Sequence, residues 1–233
     1  MRGYKTSNGT EIIRVIGGRS NVFLVQGKNS NILIDSGPAF MAEKLKTNLG
    51  LLGITEIGLL ILTHSHFDHT GNANLIRETF GASTMIHSSE RQHLEAGIGP
   101  PPMGTNWFSS LLINTFKAAL SKYTRFTPCM ADIIPRNFHD LKEYGLDCYI
   151  VHTPGHTSGS LSVVIDNEVA ITGDTMFGIF RNSVFPPFAN DVPELLRSWK
   201  KLLYTGCSLF LPSHGKEKTR EDLEACLAKK VIL

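Results

Sequence analysis

The stretch Thr63-His64-Ser65-His66-Phe67-Asp68-His69-Thr70-Gly71-Asn72 constrains this chain more than any other. Three histidines and one aspartate fall within six residues, directly after the apolar run Leu59-Leu60-Ile61-Leu62. In an extended segment residues i and i+2 point the same way, so His64 and His66 share a face. Asp68 and His69 follow where the chain leaves the strand and turns into a helix. Four metal-binding side chains are thus held around one small volume. A chain of this His and Asp content carries the pattern H-x-H-x-D-H by chance in well under roughly one sequence in a hundred.

Short strands and turns surround this loop. Thr10–Ile16, Asn21–Val25 and Asn31–Asp35 read as strands joined by tight turns, which predicts an antiparallel opening sheet. Ser36-Gly37-Pro38 opens a helix with Met41, Leu45 and Leu52 on its apolar face and Gly50 or Gly53 at its end. Gly58–Leu62 is a buried strand. Asn72–Phe80 reads as a helix, Ser83–His87 as a strand, and Ser89 as the cap of a short helix through Ala96.

Residues 97–136 break the rhythm. Gly99-Pro100-Pro101-Pro102 cannot be regular structure, and Trp107–Tyr123 has helical apolar spacing. This predicts an inserted helical cap. Its charged residues are Lys117, Lys122, Arg125 and Arg136 against Asp132, a balance that reads first as a solvated helix face and, more sharply, as a mild attraction for an anionic substrate near the site.

Further on, Cys148–Val151 is a strand, Ser160–Ile165 and Glu168–Thr172 form a hairpin about Asp166-Asn167, and Ser208–Leu211 is the last strand. Asp191 and Thr219 are placed to cap the two helices that follow them. Strands and helices alternate in two similar halves, which predicts two sheets packed face to face with helices outside, in one domain over 1–233.

Composition narrows the function classes. The chain of 233 residues can bury a full core. Hydrophobic residues make up 42% and charged residues 19%, as in ordinary soluble proteins. No apolar run approaches the ~20 residues that span a bilayer, and Met1–Thr10 lacks the apolar stretch of a signal peptide. A cytoplasmic protein with no membrane partner is expected. The formal charge of +2 is too small to draw in nucleic acid. Cys129, Cys148, Cys207 and Cys226 are far apart with no C-x-x-C pair, which argues for free buried thiols.

Five peptides stand at predicted strand ends: His64-x-His66, Asp68-His69, Gly155-His156, Gly173-Asp174 and Ser213-His214-Gly215. Strand ends on one edge of a sandwich converge, so these side chains can meet. Five histidines and two aspartates suffice for two metal ions, and imidazole with carboxylate suits zinc, iron or manganese.

This set, with Ile32-Leu33-Ile34-Asp35-Ser36-Gly37, resembles the metallo-β-lactamase-fold hydrolases, and among them most the glyoxalase II-like metallo-hydrolases. The resemblance implies an α+β fold, the αββα sandwich, with the site at one edge. It implies that His64, His66 and His156 bind one metal, that Asp68, His69 and His214 bind a second, and that Asp174 bridges both. It further implies two divalent ions, zinc first with iron or manganese as alternatives, and a bridging hydroxide as nucleophile. Asp68 would also shuttle a proton, and Asp35 would support the ligand histidines.

Two departures narrow the reading. Asp174 stands where the commonest zinc β-lactamases carry a cysteine, which argues against antibiotic hydrolysis. One helix follows His214 where glyoxalase II enzymes carry a glutathione-binding helical domain, so residues 97–136 are expected to shape the pocket. The resulting expectation is a dinuclear metal-dependent hydrolase of a small ester, thioester or lactone. A phosphodiesterase or nuclease of the same fold and an iron-dependent persulfide or oxygen redox enzyme are the alternatives. His152, His87, His93 and His139 are read as structural, and Arg181 and Lys216 as residues that could hold an anionic group.

Overall fold

Side chains alternate across a strand, so even all-apolar strands sort their residues into two layers. In the computed structural model, which describes residues 1–18, 20–101, 103–105, 115 and 124–231, this alternation builds the whole frame. The first sheet comprises β1 (Arg2–Lys5), β2 (Glu11–Ile16), β3 (Val22–Gln26), β4 (Asn31–Ile34), β5 (Leu59–Ile61) and β6 (Ser83–Met85), in that spatial order. It is antiparallel from β1 to β4 and parallel from β4 to β6. The second comprises β7 (Phe138–Asp140), β8 (Cys148–His152), β9 (Leu161–Ile165), β10 (Val169–Gly173), β11 (Leu209–Pro212) and β12 (Lys218–Thr219), again in sequence order. Only β10 and β11 pair in parallel there.

Phe23, Val25, Ile32, Ile34, Leu59 and Ile61 face the second sheet and meet Ile150, Leu161, Val163, Ile165 and Ile171 between the two. Their alternate neighbours Val22, Leu24, Leu33, Leu60 and Leu62 face outward, under helices α1 (Ala42–Leu51) and α3 (Ala73–Phe80). Val164, Ala170 and Phe210 do the same on the other side, under α5 (Val192–Tyr204) and α6 (Arg220–Val231). The expected αββα sandwich is thus the observed one. A four-residue turn of helix, α2 (Phe67–Thr70), and the short α4 (Arg91–Ala96) complete it.

Parallel strands need a crossover, and the helix supplies it: α1 links β4 to β5, α3 links β5 to β6, and α5 links β10 to β11. The carboxyl ends of β4, β5, β10 and β11 therefore open on one edge. In open sheets this edge is where ligands bind.

Several local expectations need correction. Ser89 does not cap α4: its N–H donates to His87 Nδ1 instead, at 3.2 Å, and Glu90 precedes the helix with no capping bond from its side chain. The opening sheet begins earlier than expected, at β1; β7 is a further strand, and the two-residue β12 follows the strand expected to be the last and pairs with it. The helix expected over Trp107–Tyr123 lies outside the described residues. Of the surrounding segment, 103–105 pairs with 187–189 through Thr105 N–H to Pro187 and Ala189 N–H to Met103. Gly99 N–H bonds to Thr124. Among the described residues, no helix is long and apolar enough to cross a membrane.

Candidate metal centre

The loop after β5 carries His64 and His66, and α2 carries Asp68 and His69. The loop after β8 carries His156. Asp174 follows β10 and His214 follows β11. All seven converge, in two sets: His64, His66, His156 and Asp174, then Asp68, His69 and His214. Within each set the donor atoms lie within 4.8 Å of one another.

In the first set, His64 Nε2 is 2.9 Å and His156 Nε2 is 3.1 Å from His66 Nδ1. Imidazole nitrogens packed this closely need a proton or a cation between their lone pairs. A tetrahedral shell with metal–nitrogen bonds of about 2.0–2.1 Å sets its nitrogens about 3.3 Å apart, close to what is seen. His156 Nδ1 donates to the Phe188 carbonyl at 2.8 Å, which leaves Nε2 as a lone pair aimed inward. Gly155 has φ +132, and a Cβ there would stand 2.4 Å from Leu195 N, so the turn that presents His156 requires glycine.

Asp174 links the two sets. Its Oδ2 lies 3.5 Å from His156 Nε2 and 3.3 Å from His214 Nε2. Its Oδ1 lies 3.5 Å from His69 Nε2, and neither of those two buried atoms has a hydrogen-bond partner. Buried polar atoms are seldom left unpaired. Orphaned donors and acceptors aimed at one point, in an O/N set of this kind, fit a divalent cation.

Asp35 supports both sets from behind. It sits at φ +61, a left-handed conformation that Asp tolerates better than most residues. Its Oδ2 holds His69 Nδ1 at 2.7 Å and accepts from Ser213 Oγ at 3.1 Å. Its Oδ1 accepts the Thr63 N–H at 2.8 Å. Thr63 Oγ1 in turn sits 3.1 Å from His64 Nδ1. One carboxylate thereby fixes the tautomer of His69 and the start of two ligand-bearing loops. Asn21 steadies the second of these loops as well, donating to the Pro212 and Gly215 carbonyls on either side of His214.

The electrostatics divide along the same line. Burial, followed by the neighbouring imidazoles, pulls His64 well below its ordinary value. Burial, then His156, takes His66 down to about 3, and burial lowers His156. These three are neutral at physiological pH, the form in which imidazole can take a metal ion. Burial also works against protonating His69 and His214, but the carboxylates outweigh it. Asp35, Asp174 and Asp68 raise His69 well above its ordinary range, and Asp174 with Asp68 pushes His214 up to about 10. Burial would raise Asp174, yet His214 and His69 hold it well below the carboxylate range. A cation held by His69 and His214 would compete with protons for their inward nitrogens.

The histidines read as structural stay outside both sets. His87 and His152 stack on each other, and His93 bonds to the Ile98 carbonyl. Arg181 and Lys216 are exposed. The cation engaged nearby is Lys218, whose Nζ donates to the Phe180 and Arg181 carbonyls. The supporting roles of Phe188, Asn21 and Ser213 had no sequence signal. A carbonyl is common to every residue type, and the partners lie far along the chain.

A sandwich of two mixed sheets between helices, with a His/Asp cluster at the carboxyl ends of its parallel strands, defines a metal-dependent class of protein. The sequence model of the metallo-beta-lactamase superfamily matches residues 15–214, and the chain belongs to that superfamily. A probable metallo-hydrolase of Methanocaldococcus jannaschii is 40% identical over 158 residues, covering 68% of each chain. The hydroxyacylglutathione hydrolase GloC of Haemophilus influenzae is 28% identical over 218 residues, covering 90% of this chain and 92% of its own. A solved archaeal metallo-beta-lactamase superfamily protein from Sulfolobus tokodaii superposes with a TM-score of 0.71 at 18% identity, over 94% of this chain and 86% of its own.

Proposed function

We propose that this protein is a dinuclear metal-dependent hydrolase that cleaves a small ester, thioester or lactone. The convergence of seven donors in two sets, each within 4.8 Å, supports this most strongly. In this reading His64, His66 and His156 hold one ion, Asp68, His69 and His214 hold the other, and Asp174 serves both. Zinc suits the set best, since it accepts imidazole and carboxylate with no redox demand. Bound there, such ions supply a nucleophilic water of lowered pKa and polarise the acyl oxygen.

The chain's own residues do the rest. Asp35 and the Phe188 carbonyl keep His69 and His156 aimed inward. Asp68 is the more accessible site carboxylate, its side chain 19% exposed against 5% for Asp174. That exposure supports a role for Asp68 in taking a proton from the nucleophilic water and returning it to the leaving alkoxide or thiolate. The name of the Haemophilus influenzae relative, a hydrolase of an acylated glutathione, adds support for an acyl substrate.

The test is metal analysis of the native protein, followed by assays on a thioester, a lactone and a phosphodiester. Two divalent ions per chain and acyl cleavage are expected. Asp174→Ala is expected to lose ions and about 100-fold or more of the hydrolysis. Protein that purifies without metal, or an Asp174→Ala variant of unchanged activity, rejects the proposal. A preference for the phosphodiester moves the activity to the nuclease-type reading.

A further inference from the structure

One buried carboxylate is not used by the site as described. Glu90 is 2% exposed and stands at the start of α4. Its Oε2 accepts from the Ser65 N–H at 3.2 Å and from the Ser65 hydroxyl in a short bond. Its Oε1 accepts from the Gly159 N–H at 3.1 Å. Ser65 separates His64 from His66, and Gly159 lies three residues after His156. The two carboxylate oxygens therefore grip the two loops that carry all three imidazoles of the first set.

The grip is close. A Cβ at Gly159 would stand 2.4 Å from Glu90 Cγ, 2.9 Å from Oε1 and 3.0 Å from His87 Nδ1, so no larger residue fits there. The carboxylate's bonds go to two peptide N–H groups and one hydroxyl. A charge held this way acts through geometry, and it is strengthened by low local dielectric. The loops also have a second tie, from the Leu161 N–H to the Thr63 carbonyl at 2.8 Å. Removing Glu90 therefore loosens their spacing without separating them.

We propose that Glu90 is a positioning residue, which sets the spacing of His64 and His66 against His156 and thereby the affinity of this three-histidine set for a divalent cation. This rests on the reading that the set holds a cation. The carboxylate stands behind three imidazoles that Asp174, and for His66 also Asp68, act on from the side of the site.

The experiment titrates Zn²⁺ into metal-free wild type, Glu90→Gln and His156→Ala against a chromophoric chelator, with Co²⁺ absorption and thermal melts recorded for each. Glutamine keeps the shape but can satisfy the donors on one side only. Glu90→Gln is expected to weaken one binding step about 10–100-fold. That step is the one lost in His156→Ala, and its Co²⁺ band changes while the other step holds. Two unchanged steps overturn the proposal. So does equal weakening of both steps together with a lower melting temperature of the metal-free protein, which marks a general structural role. If Glu90→Gln does not fold, Ser65→Ala removes one bond of the same grip and is expected to weaken the same step to a smaller degree. Wild type that binds both ions but cleaves no acyl substrate rejects the hydrolase reading and leaves this inference standing. Wild type that takes up no Zn²⁺ overturns both.

Discussion

His87 and His152 stack face to face, their ring centroids 4.1 Å apart and their planes within 10°. His87 Nε2 donates to the Arg136 carbonyl at 2.6 Å while its Nδ1 accepts from Ser89. His152 Nε2 donates to Ser158 at 2.8 Å. Burial, followed by the partner ring, lowers His87; burial lowers His152, and Lys201 adds to it. The folded state thus resists protons that the unfolded chain accepts below its pKa of about 6.5. The stabilisation is complete above that value and is lost as pH falls through the lowered folded values. From about pH 7.5 to 5.5, the metal-free wild type should lose more melting temperature than a His87→Asn, His152→Asn double variant. Parallel losses would show that the stack does not carry the effect. Histidine by itself is an ambiguous residue: the chain has nine, and five reach the metal centre. Those five were legible because they stand at strand ends, two of them at i, i+2 spacing. Glu90 was not legible, since its partners are peptide N–H groups and a serine with no motif of their own.

Elements were legible where a local physical rule decides them. Asp166 and Asn167 take φ +52 and +53, the left-handed pair that a two-residue hairpin demands. Asp191 caps α5, its Oδ1 accepting the Glu194 N–H at 2.8 Å. Thr219 and Asp222 bond reciprocally at the start of α6. Asp191→Ala should cost about 1 kcal/mol of stability. Urea unfolding measures this, and a loss below a few tenths would mean that the backbone bond from Asp191 N–H to Gly155 already fixes the turn. The strands that escaped notice, β1, β7 and β12, are sheet edges of four, three and two residues, β1 and β7 with mostly exposed side chains. Their stability comes from β2, β8 and β11 beside them, and pairing between strands is not written in either strand alone.

At the scale of the whole molecule, the layer between the sheets and the layers beneath the helices make separable contributions. Ile150 belongs to the first and Leu45 to the second. Truncating either to alanine should cost about 2–5 kcal/mol. Ile150→Ala should in addition weaken cation binding, measured by chelator competition, because it lets one sheet shift on the other. Leu45→Ala should leave binding near wild type, and equal weakening in both would sink the distinction. The layered order was legible from strands and helices alternating in two similar halves, together with the family resemblance. Which strand ends would share an edge followed only from the direction of the crossovers.

His64, His66, Asp68 and His69 hang from one sheet, while His156, Asp174 and His214 hang from the other. An ion at the centre is therefore a rivet through two plates, and its affinity reads out how well they are aligned. It also orders events in the life of the chain. When the first four donors leave the ribosome they form only half of each shell. His214 comes last of the seven, just after β11, so the second set is complete only once that strand is made. In the two-metal reading, loading therefore waits on the pairing of both plates, and the ion content of a preparation is expected to report how many molecules have assembled them.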